Sequence, residues 1–163
     1  MIVIVIIGLV YTLAITKLKS VSEEKVEPNF VNLKEYLGSF IKEDAKSARV
    51  VCLDDCSECS VYVDGVKKET FESFFDESVA IYRYDFLQGA VKKQDAVYFN
   101  DENVQESVCF SFSMYKNNIS EQVIVTYKEK AYDYTTYFEK TPMYDSLEDL
   151  VEAKEIKVQE VSR

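Results

Sequence analysis

Val108-Cys109-Phe110-Ser111-Phe112-Ser113-Met114 alternates apolar with small or polar side chains at each step. A period of two places successive side chains on opposite faces of a strand, so this segment has one buried and one wet face and belongs to an antiparallel sheet. Working outward, the same period recurs over Arg49 to Leu53, Ser60 to Asp64, Val79 to Phe86, Ala96 to Phe99, Ser107 to Tyr115, Gln122 to Tyr127 and Tyr132 to Phe138. Asp64-Gly65, between Val61-Tyr62-Val63 and Val66-Lys67-Lys68, is a two-residue hairpin signal, because Gly tolerates positive φ. Twelve Tyr and ten Phe with only four Gly and two Pro describe a strand-forming chain poor in linker. Near the end, Ser146 with Asp149 starts a short helix through Lys154.

Before the strands, Phe30, Leu33, Leu37, Phe40 or Ile41, Ala45 and Ala48 repeat at three- and four-residue spacing, which predicts an amphipathic helix. Pro28 interrupts or kinks it, and Asn32 with Glu35 caps a restart. Upstream, residues 1–16 carry no charge until Lys17. At 1.5 Å per residue a helix up to Leu18 spans about 27 Å, slightly short of the ~30 Å hydrocarbon layer. A buried strand is too short an element for such a run. A cleaved secretory signal needs a basic segment and a small-residue site that Tyr11-Thr12-Leu13-Ala14 does not offer. The expected division is therefore a transmembrane segment over 1–18, an amphipathic helix over 19–48 and a β-rich head over 49–163.

Met1-Ile2-Val3-Ile4-Val5-Ile6-Ile7-Gly8-Leu9-Val10 resembles the segment that follows the processing site in type IV pilins and type II secretion pseudopilins. The family's basic leader, its Phe and its assembly Glu are not in this sequence, so those roles pass to no residue here, and no proline follows soon after Gly8. About six further residues upstream would lengthen the span to ~24 and let it cross a bilayer comfortably. The resemblance implies an α+β fold, a long N-terminal helix packed on an antiparallel sheet. In it Met1 to Val10 and Leu13 form the membrane and assembly helix, and Phe30, Leu33, Leu37, Phe40 and Ile41 pack under the sheet. It further implies a structural subunit of a pilus, secretion or DNA-uptake apparatus, assembled as a homo- or hetero-oligomer. The partners would be other pilin-like subunits and the inner-membrane assembly platform, with the head in the periplasm or an extracellular filament. Lys17 and Lys19 alone would place the head in the cytoplasm, the opposite orientation.

A formal charge of −10 argues against direct nucleic-acid binding. Lys67-Lys68 and Lys92-Lys93 read as solvated turns. The absence of histidine removes imidazole-based catalysis, metal ligation and pH switching. No enzyme activity, cofactor or metal is expected. Cys52, Cys56, Cys59 and Cys109 suggest two disulfides in an exported domain, and of three pairings we expect one bond inside the cluster and one to Cys109. A zinc site has only one Cys-x2-Cys, Cys56 to Cys59. A redox thiol there would sit among Asp54, Asp55 and Glu58, which raise its pKa. Asp54-Asp55 and Asp76-Glu77 lack the ordered oxygen ligands of a calcium loop, and Asn118-Ile119-Ser120 fits a glycosylation pattern that arises often by chance. Tyr127 to Tyr144 reads as sheet surface and core. The alternative role is a solitary membrane-anchored extracytoplasmic binding or dithiol protein that forms no filament. A third reading is a secreted domain whose mature chain starts near Lys17 to Ser22.

Overall fold

A computed structural model describes residues 27–41, 45–94, 96–99, 105–137 and 140–161. In chain order they form α1 (Leu33–Phe40), β1 (Ser47–Leu53), β2 (Glu58–Val63), β3 (Val66–Glu72), β4 (Ala80–Asp85), β5 (Gly89–Lys92), β6 (Ala96–Phe99), β7 (Gln105–Tyr115), β8 (Ile124–Tyr127), β9 (Lys130–Asp133), β10 (Met143–Tyr144) and α2 (Leu147–Val161). The strands make two antiparallel five-stranded sheets, sheet 1 in the order β3-β2-β1-β7-β6 and sheet 2 in the order β10-β9-β8-β4-β5.

The expected fold class is overturned. Among the described residues the molecule is mostly β, with two antiparallel sheets and two short helices, and no long helix packed on a single sheet is found. Among the described residues neither helix is long and apolar enough to cross a membrane. Among the described residues of the predicted 19–48 amphipathic helix, only α1, eight residues long, is helical. Ile41 leaves helical backbone at φ −86°, ψ 87°. Ala48, counted into the helical stripe, is the first inward residue of β1, where Ala48, Val50 and Cys52 alternate with Arg49. Its spacing from Phe40 matched a helix by coincidence, and the period of two begins earlier than expected. The transmembrane expectation for Met1 to Leu18, including Leu13, and the first part of the 19–48 helix lie outside the described residues.

A second sheet is required because β8 has two apolar faces. Val123, just before β8, and Val125 join the main core with Val50, Val61, Phe110 and Phe112 from sheet 1, whereas Ile124 packs with Ala131 and Leu150 beneath α2. One sheet cannot bury both faces of a strand, so sheet 2 lies between sheet 1 and α2. The main core is aromatic. Phe30 stands at the junction of the sheets, with ring centroids 5.9 Å from Phe110 of β7 and 4.9 Å from Tyr132 of β9. Tyr134 packs at a tilt against Phe112, ring centroids 4.4 Å apart, and its hydroxyl donates to the Phe30 carbonyl at 2.5 Å. Leu33 and Leu37 of α1 are buried in this core, and Phe40 and Ile41 are partly buried against it.

Local chemistry explains the turns. Asp64 and Gly65 both adopt positive φ, 48° and 83°, as a tight β2–β3 hairpin demands. The Asp64 carboxylate accepts from the Lys46 and Ser47 amides, which holds it below the usual carboxylate range and fixes the entry to β1. At α2, Ser146 Oγ accepts the Asp149 amide at 3.0 Å, the expected N-terminal cap, and the helix runs on past Lys154 to Val161.

Candidate functional site

The cysteine cluster is a staple. Cys52 and Cys59 face each other in the β1–β2 register and are bonded, and Cys56, in the loop between those strands, is bonded to Cys109 of β7. All four sulfurs are in disulfides, so none serves as a thiolate for zinc or for thiol redox chemistry. The acidic residues nearby do turn work. Asp55 accepts the Ser57 amide, and Asp76 accepts the Ser78 amide and the Tyr127 hydroxyl; both carboxyls are held low by the bonds to serine. Among the described residues no group of three or more Asp, Glu or Cys is placed to hold a metal ion. Of the basic pairs, Lys67 and Lys68 lie on edge strand β3, and Lys93 is bound to Glu121 at 2.6 Å. Asn118 occupies a positive-φ turn position after β7.

The feature that stands apart is on sheet 2. The β4–β5 hairpin ends in Phe86 and Leu87, which are 80% and 97% exposed. Burying either side chain is worth about 1.5–3 kcal/mol, so leaving both in water forgoes a large stabilisation. Their backbone is fixed: Asp85 accepts the Leu87 amide at 2.8 Å and the Gln88 amide at 3.0 Å. Gly89 closes the turn at φ +74°, with its α-carbon hydrogen side facing Val151 of α2 closely enough that an added Cβ would lie 3.8 Å from Val151 Cγ1. Phe86 leans edge-on against Tyr84, ring centroids 5.6 Å apart.

Between hairpin tip and α2 runs a groove of about 600 Å³. Leu147 and Val151 supply its apolar wall, and Glu148, Glu152 and Glu155 its charged rim. Spacings of four and three residues put those glutamates on one helical face. Among the described residues no Lys or Arg lines the groove. Burial, with Glu155 adding to it, pushes the Tyr84 hydroxyl above its ordinary range.

Lys154 of α2 is engaged by sheet 2. Its ammonium meets Asp133 at 2.7 Å and Thr135 Oγ1 at 2.5 Å, and lies 5.3 Å from the centre of the Tyr84 ring. Asp133 is 2% exposed and also accepts the Thr135 amide and hydroxyl. This clamp docks α2 on β9 and so builds the groove's wall.

The groove was missed in the sequence, although a signal existed. Phe86-Leu87 sits between the turn formers Asp85 and Gly89, and two adjacent large apolar residues at a hairpin tip break the rule that turns are polar. Reading Val79 to Phe86 as one strand hid the turn. No protein-family model, curated protein or solved structure matches this chain.

Proposed function

We propose that the chain is a non-catalytic binding head, tethered by its apolar N-terminal stretch and facing an oxidising compartment. The observation that carries this reading is the pair of disulfides tying β1, β2 and β7 together, with Cys52, Cys56 and Cys59 fully buried. Such bonds persist where thiols are not kept reduced. The uncharged run over residues 1–16 supplies the tether. Exposed Phe86 and Leu87 supply a contact surface.

A filament-subunit role rests on the resemblance of Met1 to Val10 alone, and the helix-on-sheet fold that it implied is not found among the described residues. The tethered binding head therefore ranks first. Labelling intact cells of the native host with a membrane-impermeant amine reagent tests the placement. Lysines of the head labelled without lysis support it; labelling that requires lysis overturns it.

A further inference from the structure

We infer that the groove between the β4–β5 hairpin and α2 receives a cationic amphipathic helix of a partner protein. This rests on reading the chain as a binding head and adds the chemistry of what is bound. Phe86 and Leu87 stand in water on a backbone already locked by Asp85, so little ordering accompanies their burial by a partner. From Leu147 to Glu155 the groove wall is about 12 Å long by helical rise, room for roughly two turns of a helix laid in the groove.

Charge selects the occupant. Glu148 and Glu152 are four residues apart, and Glu155 follows three later, an arrangement that destabilises an isolated helix unless cations approach it. Lys154, on the same helix, is already paired with Asp133 of β9. The net charge of −10 further speeds encounter with a cation. An anionic membrane surface would meet those carboxylates with like charge. A second copy related by a two-fold axis would set the same acidic row against itself. A helix with apolar residues on one face and Lys or Arg beside them satisfies both the tip and the rim.

The test uses the full chain in zwitterionic nanodiscs, with empty discs subtracted, and a fluorescent synthetic helix of leucine and lysine as probe. We expect this peptide to bind, its glutamate-for-lysine and serine-for-leucine analogues to fail, and binding to weaken as salt rises. Phe86→Ser and Leu87→Ser should each weaken binding about tenfold, and so should the triple neutralisation Glu148→Gln, Glu152→Gln, Glu155→Gln. Glu58→Gln with Glu72→Gln and Glu77→Gln, away from the groove, should leave it unchanged. Equal binding by the groove variants overturns the inference. So does equal binding of the glutamate peptide, preferential binding of anionic vesicles, or a self-association that Leu87→Ser abolishes. Because the peptide assay is independent of compartment, it can fail while the labelling test succeeds, and the reverse.

Discussion

Sheet 1 is held by two disulfides and has charged residues on its edge strand β3, whereas sheet 2 is docked on α2 through the Asp133–Lys154 clamp and carries exposed apolar residues at its β4–β5 tip. In sheet 1, two disulfides join three of the strands, and edge strand β3 presents Lys67, Lys68 and Glu72 to solvent, which discourages strand addition. In sheet 2, Asp133 and Lys154 pin α2, and the hairpin beside it offers Phe86 and Leu87. On the proposed reading, one half carries stability and the other recognition. A surface proposed to take a partner is better built on the half that does not carry the permanent bonds.

The sharpest way to break this contrast is to cut the staples. Cys56→Ser with Cys109→Ser opens a bond spanning 53 residues, and Cys52→Ser with Cys59→Ser one spanning 7. Loop-closure entropy puts the losses at about 4 and about 2 kcal/mol, so urea unfolding should rank the long staple first. Equal losses would mean that local packing at the cysteines, and not chain closure, sets their worth.

Next comes the clamp. Asp133→Ala takes the carboxylate away from the partly buried Lys154 ammonium and from the Thr135 amide and hydroxyl, and should cost about 3 kcal/mol. Hydrogen exchange should then show α2 losing protection before sheet 1. Adding Lys154→Met should recover part of the loss, because the unpaired cation goes with it.

Between the sheets, Tyr134→Phe deletes the bond to the Phe30 carbonyl and should cost about 1 kcal/mol. The same tyrosine gives a pH signature. Burial raises its pKa well above 10.0, and burial, with Glu69 adding to it, raises Tyr36 to about 12. Above pH 10 the unfolded chain releases these protons and the folded one keeps them, so the folded state binds more protons and stability falls as pH rises. The stability is intact below pH 10, and the Tyr36 share is lost by about pH 12. Tyr134→Phe should flatten the alkaline decline measured by denaturant midpoint. The smallest effect on stability belongs to Leu87→Ser, within about 0.5 kcal/mol at a site 97% exposed. A larger loss would show that the tip supports sheet 2 and is not held free for a partner.

The antiparallel strands were legible because alternation over Val108 to Met114 and the Asp64-Gly65 turn report local geometry. Ser146 announced α2 through its cap, though its end was placed too early. Two disulfides could be expected from the cysteine count, while their pairing depended on the β1–β2 register that only the fold supplies. The division into two sheets was not legible, since β8 shows two apolar faces and sequence does not say what covers each. Helical spacing from Phe30 to Ala48 misled because a strand residue happened to fall in phase. The groove joins a hairpin to a helix nearly sixty residues later, and no local pattern announces that meeting.

The most direct test of a stapled head in an oxidising compartment is a disulfide map of the protein taken from its native host, with free thiols alkylated before digestion. The account predicts linked peptides carrying Cys52–Cys59 and Cys56–Cys109 and no alkylated cysteine. Alkylated cysteines would contradict both the β1–β2–β7 staple and the compartment inferred from it, and a Cys56–Cys59 bond would contradict the staple alone.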